Sequence, residues 1–204
     1  MWALVEDGSI TKIINKPKGM VIGDIQYSRN IFSFRWTNEE REAIGLYEVV
    51  FDDSNKKNQE YYINTNQTFA FAGGVVTASY GSATAKALDD RNGTDEDGVE
   101  LDPVIVIPGL KTEKKRIIKQ QASGLLAPTD WHVIKATDVE SYSVPSAVAT
   151  FRTNVRIRSN EMETAIDNAA DVDALRALYE YVNTGTEENP VMEKPLGEWP
   201  ELEV

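Results

Sequence analysis

Short runs of apolar residues broken by polar turns fill the first eighty positions, a pattern typical of β-strands. The pair Asp7-Gly8 lies between two such runs. A two-residue Asp-Gly turn favours a β-hairpin, because its type I′ geometry needs positive φ at both positions. The pair Gly73-Gly74 predicts a second turn of this kind.

One short helix is predicted within this β pattern. Thr37 and Glu40 have the spacing of a capping box, in which the threonine side chain covers one free amide and the glutamate reaches back to another. The helix should end at Gly45, since glycine readily takes the left-handed conformation that terminates helices. Aromatic and β-branched residues at 25–36 and 46–51 predict flanking strands. We therefore predict a small, mostly antiparallel β domain over residues 1–80.

Apolar residues in the second half recur at helical spacing instead. One stripe predicts a helix from near Leu110 to near Pro128. A second helix should begin near Pro145, because proline is tolerated in a first helical turn. Its apolar positions resemble the a and d seam of a heptad, with an interruption at Arg158. This seam suits burial within the chain and burial against copies of the chain equally well; its members are Val148, Phe151, Val155, Met162, Ala165, Ile166 and Ala169.

The end of the chain should hold a last helix and an extended tail. Asp171 has the character of an N-cap, with Leu175 and Leu178 on one face of the helix behind it. The tail is rich in proline and glutamate and should be anchored by Leu196 and Trp199. The predicted fold class is α+β, with a small antiparallel β domain followed by a helical region. The boundaries are 1–80 for the β domain, 81–108 for an acidic linker or loop, 109–182 for the helical region and 183–204 for the acidic, proline-containing tail.

Composition narrows the possible classes of function. The 204 residues include no cysteine and one histidine, which excludes disulfides, thiol catalysis and a multi-histidine metal site within one chain. The formal net charge of −12 disfavours nucleic acid as a partner, because phosphates attract basic surfaces. A locally basic segment at 111–119 suits either a solvated face or pairing with the protein's own acids. No segment approaches the roughly 18 apolar residues of a membrane span, so no membrane insertion is expected.

An acidic stretch at 89–102 precedes the helical half. Its seven acidic residues invite comparison with a calcium-binding loop. Aligning Gly98 with the obligatory loop glycine places Gly93 at the first ligand position and Val104 at the last, where neither side chain can bind a cation. A solvated acidic loop is therefore favoured, with an irregular cation site as the alternative.

The triplet Asp130-Trp131-His132 contains the only histidine and is the obvious candidate for catalysis. A nucleophilic triad also needs a nucleophile, and no Gly-x-Ser-x-Gly motif occurs in the chain. Capping of the following helix explains Thr129 or Asp130 more simply, and Trp131 is expected in the core. We therefore predict no enzymatic activity, no catalytic or metal-binding residue and no cofactor. The residues expected to serve structure or interaction are Trp131, Asp130, Pro145, Val148, Phe151, Val155, Met162, Ile166 and Trp199.

The segment around this triplet carries a family resemblance. A basic helix leads to a Leu-Leu-x-x-Thr-Asp-Trp phrase, a Val-Ile-Lys run, an acidic turn, Val-Pro and a helix with Phe-Arg. This pattern resembles the tail-fibre and tail-fibre-assembly-type small structural proteins of tailed bacteriophages, those of marine phages in particular. The opening at 2–14 and the phrase Pro-Leu-Gly-Glu-Trp-Pro at 195–200 resemble the ends of the same proteins. The matching central residues are Leu125, Leu126, Thr129, Asp130, Trp131, Val133, Ile134, Lys135, Val144, Pro145, Phe151 and Arg152.

The resemblance implies a virion structural protein of the tail, baseplate or fibre-attachment region, made in the host cytoplasm and acting through protein contacts. Its expected partners are other phage tail proteins, such as fibre, baseplate or tail-tube subunits, and a homo-oligomer within the assembly is expected. A tail-fibre assembly chaperone outside the virion is the first alternative, and a host-surface hydrolase is the second. The resemblance assigns no catalytic residue.

Overall fold

The computed structural model describes residues 1–203 and is a mixed α+β fold. The last residue of the predicted tail, Val204, lies outside the described residues. The chain divides into two compact units, Met1–Thr84 and the remainder from Ala85 onward. A five-stranded sheet dominates the first unit and helices dominate the second.

The first unit is organised around a sheet in the order β2-β1-β5-β8-β7. Neighbouring strands are antiparallel except β5 and β8, which run parallel, so the sheet is mostly antiparallel, as predicted, and contains one parallel pair that the sequence did not indicate. Turn residues specify which strands form hairpins, but the side-by-side placement of two hairpins depends on long-range burial. The bounds are β1 (Trp2–Glu6), β2 (Ser9–Ile14), β3 (Met20–Ile22), β4 (Ile25–Tyr27), α1 (Asn38–Glu42), β5 (Leu46–Asp52), β6 (Tyr62–Ile63), β7 (Gln67–Ala72) and β8 (Val75–Tyr80).

Both predicted hairpin turns are confirmed. Asp7 and Gly8 have φ angles of 50° and 76° and join β1 to β2. Gly73 and Gly74 have φ angles of 57° and 79° and join β7 to β8. Positive φ at two successive residues matches the right-handed twist of the flanking strands, which explains the position of each turn.

The predicted capping box is also confirmed. The backbone N–H of Thr37 donates to Glu40 Oε2 at 2.8 Å, and the N–H of Glu40 donates to Thr37 Oγ1 at 3.2 Å. Helix α1 ends at Glu42, and the chain turns into β5 through Gly45 at a φ of 78°. A Cβ at this glycine would lie 2.4 Å from the carbonyl oxygen of Val5, so the close approach to β1 also requires glycine.

The strand predicted at 25–36 is wrong beyond Tyr27. A 3₁₀ helix occupies Arg29–Phe32, and Ser28 caps it by accepting a hydrogen bond from the amide of Asn30. The buried guanidinium of Arg41 holds this turn, because its Nε donates to the Ile31 carbonyl at 2.8 Å. The aromatic composition of this segment favoured a strand. The buried Arg41 side chain needs carbonyl acceptors, and the 3₁₀ turn provides them.

Buried side chains lie on both faces of the five-stranded sheet. One cluster consists of Ala3, Val5, Val49, Val76 and Ala78. The other consists of Leu4, Ile14, Met20, Ile31 and Leu46, with Trp2 and Trp36 packed against it. Because alternate residues of β1 enter different clusters, this strand is buried on both faces.

The second unit contains four α-helices and short hairpins within residues 85–203. The predicted linker at 81–108 holds the β10–β11 hairpin, and the last helix of the predicted region 109–182 ends at Ala177. A 3₁₀ turn at Ala127–Thr129 joins α2 to α3. The bounds are β9 (Thr84–Ala85, across the unit boundary), β10 (Arg91–Asn92), β11 (Val106–Ile107), α2 (Leu110–Leu126), α3 (Asp130–Asp138), α4 (Ser146–Asp167), α5 (Val172–Ala177), β12 (Val182–Asn183) and β13 (Met192–Glu193).

Helices α2 and α4 pack antiparallel. Lys115 pairs with Asp167 at 2.7 Å, and Lys119, one turn further along α2, pairs with Glu163, one turn earlier in α4, at 3.3 Å. Lys111 pairs with Asp89 at 3.3 Å. Of the two readings of the basic segment 111–119, pairing with the protein's own acids is therefore the one that the structure supports.

The heptad-like seam of α4 is buried within the chain. Val155 and Ile166 are fully buried, and Phe151 and Val155 form a cluster with Ala122 of α2. Near the interruption at Arg158 the buried position is taken by Ser159. The seam is thus covered by the chain's own helix, and it gives no separate support to the homo-oligomer, which stays a prediction.

Candidate functional site

Several residues of segment 125–152, which we call the phage-like phrase after the resemblance given above, meet where α2, α3 and α4 join. The side chain of Arg152, on α4, is 10% exposed and reaches back to the end of α2. Its Nη1 donates to the carbonyl of Leu126 at 3.0 Å and to Oγ1 of Thr129 at 2.6 Å. The same nitrogen lies 2.8 Å from Oδ1 of Asp130, the first residue of α3. We call this set of four residues the Arg152 junction.

Neither Thr129 nor Asp130 caps α3 in the predicted manner. Thr129 occupies the N-cap position, but its backbone is helical (φ −105°, ψ −2°) and its hydroxyl donates backward to the Leu126 carbonyl at 2.7 Å. An N-cap side chain reaches the forward amides only from an extended backbone, which the nearly continuous helical path from α2 to α3 does not provide. The two residues hold the angle between helices instead.

The prediction that Trp131 lies in the core is wrong, because 52% of this residue is exposed. Helix α3 has no buried residue at all. Val133 and Ile134 are also exposed, by 42% and 61%. A large aromatic residue is usually buried in a helix that packs along its length, whereas α3 is tied to the unit at its beginning by the Arg152 junction.

An aromatic stack orders the surface of α3. The rings of Trp131 and His132 stack with centroids 3.7 Å apart. His132 Nδ1 and the hydroxyl of Tyr142 share a hydrogen bond of 2.5 Å. The ammonium of Lys135 lies 4.4 Å from the centroid of the Tyr142 ring. We call the exposed residues Trp131, Val133, Ile134 and Lys135, together with the half-buried His132 and Tyr142, the α3 platform.

The platform is suited to protein contact. It combines apolar area with one cation and three aromatic side chains, and aromatic residues are enriched at protein interfaces. The Asp-His contact of a catalytic triad does not form within the described residues, because Asp130 pairs with Arg152 and His132 bonds to Tyr142.

The other residues named from the sequence lie elsewhere. Trp199 in the tail is half-buried against the cluster of Phe151 and Val155, and its Nε1 donates to Gln121 at 3.1 Å. Pro145 is exposed and takes the N-cap position of α4 rather than its first turn. The seam members Val148, Phe151, Val155, Met162 and Ile166 lie inside the second unit, away from solvent.

Sequence reasoning missed the roles of Arg152 and Tyr142. Arg152 belongs to the phage-like phrase, but 22 positions separate it from Asp130, and no periodicity links the two. A charged residue at a position next to the apolar seam of α4 was the available signal, since a buried arginine needs acceptors.

Two acids of the 89–102 stretch, Asp90 and Asp95, accept hydrogen bonds from the backbone. Asp95 Oδ1 accepts hydrogen bonds from the amides of Asp97 and Val99 at 3.0 and 2.9 Å. Asp90 Oδ1 accepts from the amide of Gly109 at 2.8 Å, and this bond holds the pKa of the carboxyl below its usual value. Within residues 1–203, no group of three His, Cys, Asp or Glu side chains has the geometry to hold a metal ion.

A groove of about 600 Å³ lies between Arg158 of α4 and the hairpin formed by β12 and β13. Both of its cations are already engaged, because Arg158 pairs with Glu161 at 2.8 Å and Lys194 pairs with Glu198 at 3.7 Å. A hydrogen bond with Tyr181 is the main reason that the pKa of Lys194 is raised. We assign no ligand to this groove.

Comparisons with known proteins found no match that bears on function. No family model matches the chain, and neither a curated protein nor a solved structure shows significant similarity to it. Across residues 1–203, no helix combines the length and the apolarity needed to cross a membrane.

Proposed function

We propose that this protein is a structural component of a bacteriophage tail, in the tail, baseplate or fibre-attachment region, and that it acts by protein contacts rather than by catalysis. The N-terminal β domain forms one contact surface and the C-terminal helical region another, in several copies around the tail axis. The resemblance of residues 125–152 to phage tail proteins motivates the proposal. The observation that supports it best is the exposed α3 platform.

The platform fits a contact role because its apolar side chains are open yet held in place. Trp131 and Ile134 are both more than half exposed. The Arg152 junction fixes the start of α3, and Tyr142 fixes the ring of His132. A surface that is already ordered loses less conformational entropy on binding, which favours a stable contact.

Quantitative mass spectrometry of purified virions tests the assignment. The chain should be present at a fixed stoichiometry relative to the tail proteins. Its absence from mature particles would reject the virion role. Abundance in the infected-cell lysate, together with fibres that fail to trimerise when the gene is deleted, would instead identify an assembly chaperone.

A pair of matched variants tests the role of the α3 platform. Ile134→Ser changes an exposed residue of the platform, and Ile157→Ser changes a residue of similar exposure, 51%, on the outer side of α4. We expect Ile134→Ser to lower incorporation into particles and Ile157→Ser to leave it unchanged. Equal incorporation of both variants would exclude the platform as the contact surface.

A further inference from the structure

A strongly apolar segment that ends in strand β11 is exposed to solvent in the second unit. Residues 104–107 read Val-Ile-Val-Ile, and their exposed fractions are 57%, 54%, 57% and 38%. Since alternate side chains of a strand point to opposite faces, both faces of this segment are apolar. Such a run is the composition of a strand covered on both faces by other protein, as in the interior of a sheet. We call residues 104–107 the VIVI segment.

One backbone edge of the VIVI segment is also free. Among residues 1–203, strand β11 pairs only with β10, in a two-stranded sheet. The amide of Gly93 donates to the Ile105 carbonyl at 2.7 Å, so Ile105 faces this neighbour. Because antiparallel residues alternate in direction, Val106 directs its N–H and C=O groups to the other edge. An isolated two-stranded hairpin is marginally stable in water, and a third strand would complete it.

Charge decides which kind of strand can be added. The adjoining stretch 89–102 carries seven acids against one arginine, a net charge of −6. Asp89 is paired with Lys111, but Glu96, Asp97 and Asp102 form no ion pair within residues 1–203. Pairing of two copies through this edge would bring like charges together, which is unfavourable. A basic partner strand would neutralise them.

We propose that the VIVI segment binds, by β-strand addition, an extended segment of another protein in which apolar residues alternate with lysine or arginine. Main-chain hydrogen bonds to Val106 supply binding, and the acidic stretch that adjoins the segment in sequence selects for positive charge. This surface is distinct from the α3 platform. The inference goes beyond the proposed function and applies equally to a virion component and to a chaperone.

Synthetic peptides test the proposal with the full chain. The probe is a fluorescently labelled peptide of four Lys-Val repeats, and the two controls are four Glu-Val repeats and four Lys-Ser repeats. Fluorescence anisotropy should show binding of the Lys-Val peptide alone, and this binding should weaken as salt is raised. Equal binding of the Glu-Val or Lys-Ser peptide would overturn the charge or the apolar part of the proposal. Absence of binding by all three peptides would overturn it entirely.

Two variants identify the binding surface. Val106→Pro removes an N–H from the free edge while leaving the Ile105 bond to β10, and proline is tolerated on edge strands. We expect it to weaken Lys-Val peptide binding roughly tenfold, the upper range for one lost hydrogen bond. The paired change Glu96→Gln with Asp97→Asn should reduce the salt dependence of binding. Glu96, Asp97 and Val106 are exposed, so both variant proteins should fold. Circular dichroism checks that they do.

Two further measurements separate the other possible occupants of this edge. Hydrogen exchange of the free chain should be fast at the amide of Val106. Slow exchange in the monomer would show that the chain itself covers the edge, which contradicts the proposal. Light scattering should give a mass that does not depend on protein concentration. Self-association that Val106→Pro abolishes would show that a second copy of the chain occupies this edge, which would also contradict the proposal.

Discussion

Replacement of Arg152 by leucine is the sharpest test of how the second unit is held together. The guanidinium is almost fully buried and serves three acceptors at the junction of three helices: Leu126, Thr129 and Asp130. Leucine keeps apolar bulk at this position and removes every donor. The expected result is a substantial loss of stability without a change of fold.

The magnitude follows from the contacts. A hydrogen bond to a charged group contributes about 1.5–3 kcal/mol, and Arg152 makes two to neutral acceptors. The low end applies, because the Leu126 carbonyl keeps its bond from the Thr129 hydroxyl and because removal of a buried charge relieves its desolvation cost. The Asp130 carboxylate is 54% exposed, so its pairing adds less than about 1 kcal/mol. We expect Arg152→Leu to lower the unfolding free energy by about 2–3 kcal/mol.

Urea denaturation followed by far-ultraviolet circular dichroism measures this change, since the helices of the second unit dominate the signal. Asp130→Asn is the matched control, because it removes the exposed partner alone and should cost less than about 1 kcal/mol. Two results would refute the reasoning: Arg152→Leu lying within about 0.5 kcal/mol of the unchanged protein, or Asp130→Asn costing as much as Arg152→Leu.

Three further predictions concern single positions. Trp131→Ala should change the unfolding free energy by less than about 1 kcal/mol because the residue is half exposed, whereas Trp199→Ala, which uncovers a core cluster, should cost about 2 kcal/mol; equal urea midpoints would contradict this. Gly45→Ala should cost more than Gly98→Ala, since both glycines have positive φ but only at Gly45 would a Cβ meet backbone at 2.4 Å; thermal unfolding decides, and the reverse order would contradict the packing described. The pKa of Asp90 is lowered in the folded protein, so its stabilisation is present above the usual value of about 3.9 and is lost as pH falls through the lower folded value. Asp90→Asn should therefore flatten the acid end of a stability-against-pH curve, and an unchanged curve would rule this out.

Features that depend on a few neighbouring residues were predictable from the sequence. The Asp7-Gly8 turn, the capping box of Thr37 and Glu40, and the N-cap at Asp171 all appear as expected, the last through a 2.7 Å bond from the Ala174 amide. Each rests on a φ preference or on a hydrogen bond that spans at most three residues. Such interactions are settled locally, so the residues alone specify them.

The candidate site was predictable only in part. The phage-like phrase directed attention to residues 125–152, and the apolar period of α4 indicated its buried positions. The apolar period of α4 did not indicate that α2 covers these positions. Periodicity shows which face of a helix is apolar but not which element packs against that face. The meeting of Arg152 with Thr129 likewise depends on how the helices pack.

Two tryptophans show that the burial of a side chain depends on tertiary structure: Trp199 packs as an anchor of the tail, as predicted, whereas Trp131 does not enter the core. From its surroundings Trp131 was expected in the core, yet it is exposed on α3, while Trp199 packs from the tail onto α4. Helix propensity, turns and caps are short-range properties that the sequence determines by itself. Burial, strand order and the openness of the VIVI segment depend on which distant residues arrive beside them, since the hydrophobic effect has no direction and acts through the final packing. Tertiary structure therefore decided which surfaces of this protein are exposed to solvent.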